Sequence, residues 1–150
     1  MRKCKLAVVY AILLLGIACS PRVSPVYEER ESPRYSFQAF LSGIKAFPYD
    51  MPDDRRKKIV AAFPGLSPGM NEDQVKSLLG DPDAELLNYS ISQGQRYYLG
   101  SAWMYYLHRE EITYANTERD QTIAVNFDSK GFVNYAIPPS QSGMKRIGRP

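Results

Sequence analysis

Apolar positions change their spacing three times along this chain. From Leu6 to Ala18 (LAVVYAILLLGIA) they are continuous. In FQAFLSGIKAF, Phe37, Phe40, Leu41, Ile44 and Phe47 recur at intervals of three and four, the period of an amphipathic helix. A second helical stretch, RRKKIVAAF, follows Asp53 and Asp54, either of which can cap it, and turns Ile59, Val60 and Phe63 inward. The third helical segment, GMNEDQVKSLLGDPD at 69–83, has designed ends. Asn71 is an N-cap and Gln74 completes a capping box, while Met70 and Val75 are placed for a hydrophobic staple. Val75, Leu78 and Leu79 form the buried stripe; Gly80 closes the helix and Pro82 prevents its continuation.

After Pro82 the period falls to two. Residues 85–91 (ELLNYSI) predict a first strand, with a turn over Ser92–Gly94. Residues 101–109 (SAWMYYLHR) predict the strongest one, with Trp103, Tyr105 and Leu107 on one face and Ala102, Met104, Tyr106 and His108 on the other. Residues 122–127 and 132–137 predict a closing hairpin around Asp128–Gly131. The reading is α+β, with two short helices packed on a three- to four-stranded antiparallel sheet. Residues 1–18 form an export signal, and 19–52 a tether containing the helical pattern at 37–47. That helix could cap the domain, bind a partner or lie on a membrane. Residues 53–139 form the domain, and 140–150, with no apolar pattern, a disordered tail.

Arg2, Lys3 and Lys5 precede the apolar run, whose 13 residues suit a signal sequence and are too short to span a bilayer. Removing the signal takes three of 19 basic residues and none of the 16 acidic ones, so the mature net charge is zero. That balance gives no support to a nucleic-acid partner. Gly16-Ile17-Ala18-Cys19 resembles a bacterial lipobox, in which Cys19 is acylated after cleavage; Gly16 stands where Leu is usual, and Gly16-x-Ala18 also fits an ordinary secretory cut. Ser20 after the cysteine resembles outer-membrane sorting. Each buried methylene of an acyl chain contributes about 0.8 kcal/mol, so several chains, palmitate among them, form a near-permanent anchor. With Cys4 lost and Cys19 acylated, the mature domain has no disulfide and no thiol nucleophile.

Gly69-Met70-Asn71, Gln74-Val75, Leu79-Gly80 and Pro82 resemble the helix signature of the SmpA/OmlA lipoprotein family. Trp103-x-Tyr105 and Val125-x-Phe127-Asp128-x-x-Gly131-x-Val133 are similar to that family's later strands, so the likeness covers about residues 59–137. It departs from the pattern at Asn71, at the long 110–120 loop and over 21–58. The resemblance implies a fold shared with β-lactamase inhibitor proteins. It also implies an accessory, non-catalytic role beside protein subunits of an outer-membrane assembly complex, on the periplasmic face. A periplasmic protein-binding or enzyme-inhibitor module on the same fold is the alternative.

Catalytic chemistry has little to draw on. His108 is the single histidine, expected to be a surface or hydrogen-bonded side chain, and it is accompanied by no Gly-x-Ser-x-Gly elbow. Asp81, Asp83 and Glu85 alternate as a calcium loop begins, but Leu86 and Ser92 occupy the positions that need Gly and Glu. The expectation is no cofactor, no metal and no small-molecule substrate. Ten tyrosines follow the signal, and strand neighbours cannot share a face. Tyr97, Tyr98, Trp103 and Tyr105 are therefore the expected partner-binding residues, because amphipathic aromatics suit interfaces.

Overall fold

The computed structural model describes Arg30 and residues 32–112, 118–140 and 142–150. The signal, Cys19 and the tether through residue 29 lie outside the described residues. Three helices, α1 (Phe37–Gly43), α2 (Asp53–Ala62) and α3 (Glu72–Leu79), accompany six strands: β1 (Tyr49–Asp50), β2 (Ala84–Ser92), β3 (Gln95–Arg109), β4 (Gln121–Asp128), β5 (Val133–Ile137) and β6 (Ile147–Gly148). The strands form one antiparallel sheet in the order β1-β3-β4-β5-β6, with β2 beside β1 on the same edge of β3. The class is α+β as expected, with one more helix and a larger sheet.

The α3 ends are as the local chemistry dictates. Asn71 Oδ1 accepts from Gln74 N and Gln74 Oε1 accepts from Asn71 N, both at 2.9 Å. Val75 and Leu79 are buried, and Gly80 takes a φ of 84°. By contrast α2 has no side-chain cap: Pro52 stands at its N-cap, and Asp53 and Asp54 lie in the first turn, where their charge still favours the helix dipole.

Both faces of the sheet are covered. On one, Trp103, Tyr105, Ile123, Val125, Phe127 and Val133 meet Ile59, Phe63, Val75 and Leu79 from α2, α3 and the turn between them. On the other, Phe37 and Phe40 of α1 lie over Ala84, Ala102, Met104 and Tyr106. Of the three readings open for the 37–47 segment, packing on its own domain is the one observed. The helix ends at Gly43, and Ile44 is extended. A bulge between Tyr106 and His108 shifts the alternation, so Arg109 turns onto the α1 side. There its buried guanidinium lies 5.3 Å from the Phe37 ring and 5.0 Å from the Tyr106 ring, with Asp120 at 3.8 Å.

Two sequence expectations are corrected. The tail is not featureless, because β6 pairs with β5 and Met144 and Ile147 pack on the core. Nor does the tether run freely to residue 52. Arg30 and residues 32–36, a strap, cross the β2 margin: the Tyr35 carbonyl accepts from Glu85 N at 2.8 Å, and the Tyr35 ring sits edge-on to Trp103 at 5.7 Å.

Candidate functional site

Pairing of β3 with β4 begins at Gly100↔Asp128, whereas pairing with β2 continues out to Ser92↔Gln95. The outer parts of β2 and β3 therefore project past the sheet as a two-stranded ribbon. Gln93 and Gly94 at its tip both have positive φ (51° and 77°), which a tight two-residue hairpin requires. At its root the register shifts between Asn88 and Tyr89, leaving Leu99 as the extra residue of β3. Gly100 there has a φ of 135°, and a Cβ would run into the Phe127 carbonyl, so only glycine fits.

The ribbon is where the described surface is apolar. Of six large hydrophobic residues that stand exposed among the described residues, three belong to it, Ile91 (80%), Leu99 (54%) and Tyr97 (42%), and a fourth, Leu86 (45%), stands on β2 just inside its root. From Leu86 to Leu99 there is no acidic residue and one charge, Arg96. The register places Tyr89, Ile91, Arg96 and Tyr98 on one face, and Leu86, Ser90 and Tyr97 on the other. The first face is stiffened by stacking: the Arg96 guanidinium lies 3.5 Å from the Tyr89 ring centre, and Tyr89 meets Tyr98 edge-on at 5.7 Å. The same face receives the strap, since Tyr89 Oη donates to the Arg30 carbonyl and Arg30 Nη1 donates to Tyr98 Oη at 3.5 Å.

Of the four aromatic residues expected at a partner surface, Tyr97 is exposed and Tyr98 half-buried against Arg30. Trp103 and Tyr105 are corrections. Both are buried in the main core, Trp103 with its ring 4.9 Å from Phe127 and Tyr105 donating from Oη to the Gly80 carbonyl at 3.0 Å. Burial raises the Tyr105 phenol well above its ordinary value. The helix-covered face claims these side chains because α2 and α3 need a large apolar surface to close on. Cys19 lies outside the described residues.

A second feature had no sequence signal. The Glu85 carboxylate is fully buried, accepting from Arg34 N at 2.7 Å, Arg30 Nη1 at 2.9 Å and Trp103 Nε1 at 3.3 Å. Glu72 on α3 holds the same two arginines, Arg30 at 3.6 Å and Arg34 in a closer pair. The alternating acids Asp81, Asp83 and Glu85 thus serve three different partners. Asp81 pairs with Lys76 and Tyr35, which hold its carboxyl below the usual range. Asp83 pairs with Arg55 at 2.5 Å and accepts from Tyr106 N at 2.7 Å.

His108 is hydrogen-bonded, as one of the sequence readings has it. Its Nδ1 is 2.7 Å from Asp50 and its Nε2 3.4 Å from Glu110, at the wall of a polar hollow of about 310 Å³ that also contains Arg56, Glu118 and Arg119. The Asp50 contact raises the imidazole pKa. Among the described residues no group of three His, Cys, Asp or Glu is placed to hold a metal ion. Comparison with protein families, with characterised proteins and with solved structures finds no match to this chain.

Proposed function

We propose that this protein is a lipid-anchored envelope protein on the periplasmic face of the outer membrane, acting by docking as an accessory to outer-membrane protein assembly. One observation carries the docking part: the described surface concentrates its exposed apolar side chains on a projecting, acid-free ribbon. Large apolar patches on an otherwise polar surface mark contact sites, and a strand edge left without a neighbour invites one. The lipobox at Gly16–Cys19 and the SmpA/OmlA-like helix signature support the setting. The ribbon face carrying Tyr97, continued onto the sheet by Leu86, is the one turned away from the strap, and there protein subunits dock.

The test is crosslinking from a photoreactive residue at Tyr97 in living cells, with Ile112→photoreactive residue as the control at the far end of β3. Adducts with outer-membrane assembly subunits from Tyr97 alone support the reading. Adducts with a single soluble enzyme would move the protein to the inhibitor reading, and none at either site would remove the docking role.

A further inference from the structure

The strap-side face of the ribbon has a different occupant. We infer that Ile91 on this face, flanked by Tyr89 and Tyr98, forms with the unpaired bulge residue Leu99 at the ribbon's edge a second membrane contact that dips into the headgroup–acyl boundary of the bilayer to which the chain is tethered. The inference rests on the tethered reading above and deepens it.

The tether limits how far the ribbon can stand from the anchor. Arg30 is fixed against the ribbon by Tyr89 and Tyr98. Ten residues separate it from Cys19. At no more than ~3.6 Å per residue, an anchor at position 19 stands within about 40 Å of Arg30. A bilayer surface is thus held within that distance of Arg30 and of the ribbon it touches.

Ile91 is four-fifths exposed and Leu99 more than half, a cost in water that lipid removes. Tyr89 and Tyr98, whose hydroxyls are bonded to Arg30, add aromatic ring surface of the kind that suits the headgroup level. The single charge, Arg96, is a cation stacked on Tyr89, able to reach phosphate while its stem stays apolar. No carboxylate over Leu86–Leu99 opposes entry.

The test uses the full chain following residue 18, with Cys19→Ser, held on phosphatidylcholine vesicles by a histidine tag on a chelating lipid, so that native acylation plays no part. An environment-sensitive dye is attached to Ile91→Cys, and in a second protein to Ile112→Cys, which is also exposed and apolar but lies past the opposite end of the 15-residue β3. From Arg96, which faces Ile91, to Arg109 at the end of β3 is about 40 Å at ~3.3 Å per residue. The expected result is a blue-shifted dye at position 91, quenched at least threefold more by lipids spin-labelled near the headgroup than the dye at 112. Adding Leu99→Asp should abolish the difference while circular dichroism stays unchanged. Equal quenching at 91 and 112 would overturn the inference. So would a blue shift that needs phosphatidylserine and is lost with Arg96→Gln but kept with Leu99→Asp, since that is surface charge without insertion. A shift seen only when a protein partner is added would give the ribbon to protein. Metabolic palmitate labelling of the wild-type chain tests Cys19 separately, so the anchor and the ribbon can fail independently.

Discussion

The buried Glu85 carboxylate makes the stability of the domain depend on the strap, and a thermodynamic cycle measures by how much. The perturbation is Arg30→Ala with Arg34→Ala, crossed with Glu85→Gln. Removing the partner of a buried charge costs about 3–5 kcal/mol where the pair is dry. The two guanidinium groups are 24% and 47% exposed, so solvent already screens them and the figure needs discounting. The carboxylate also keeps two neutral donors, Arg34 N and Trp103 Nε1. The double arginine variant is therefore expected to lose about 2–3 kcal/mol. Glu85→Gln alone should cost about 1–2 kcal/mol, since the amide keeps the shape but weakens charge-assisted bonds and brings in donors with no acceptor. In the arginine-free background the same change should be neutral or stabilising, giving a coupling of about 2 kcal/mol. Urea unfolding followed by fluorescence of Trp103, the single tryptophan, reads all four proteins. Additive effects, with coupling under about 0.5 kcal/mol, would refute the claim that the strap neutralises Glu85.

Asn71→Ala should cost about 1 kcal/mol of stability by removing the side-chain acceptor of Gln74 N, and Asn71→Ser much less, in the same urea assay. Gly100→Ala should cost at least about 2 kcal/mol, or shorten the ribbon in amide exchange, because a Cβ has no room against Phe127. His108 has its folded pKa raised by Asp50, so its contribution is fully present below the unfolded value of about 6.5 and lost as pH rises through the folded pKa. NMR titration of the imidazole should show the midpoint move down in Asp50→Asn; an unmoved midpoint would remove Asp50 as the cause. Tyr97→Ala should abolish envelope crosslinks from the neighbouring Ser90 position while leaving stability within about 0.5 kcal/mol of wild type, as expected for a surface change.

What the sequence showed and what it hid divides along a physical line. The α3 helix was legible to its caps because capping is local: Asn71, Gln74 and Gly80 act within a turn of where they stand. The alternation in SAWMYYLHR was also legible, but not which face would be free. Since α1 covers one side of the sheet and α2 with α3 the other, every residue from Ser101 to Leu107 is buried, and Trp103 and Tyr105 are core. The outer half of β3, QRYYLG, has no clean period; it is a strand because the Gln93-Gly94 turn folds it back on β2. The role of Arg30 and Arg34 was invisible for the same reason, as their partner Glu85 is more than 50 residues away. Of the candidate site, Tyr97 was found by alternation alone. Ile91, Leu99 and Arg96 were missed, although the lack of any acid from Leu86 to Leu99 was in plain view.

An anchored domain that works by contact within the envelope, as proposed above, should travel with its partners. The most direct measurement is affinity purification of the full-length tagged protein from gently solubilised envelopes, beside Cys19→Ala. Co-purification of outer-membrane assembly subunits, lost or weakened in Cys19→Ala, is the predicted result; a single soluble enzyme recovered equally from both proteins would contradict it.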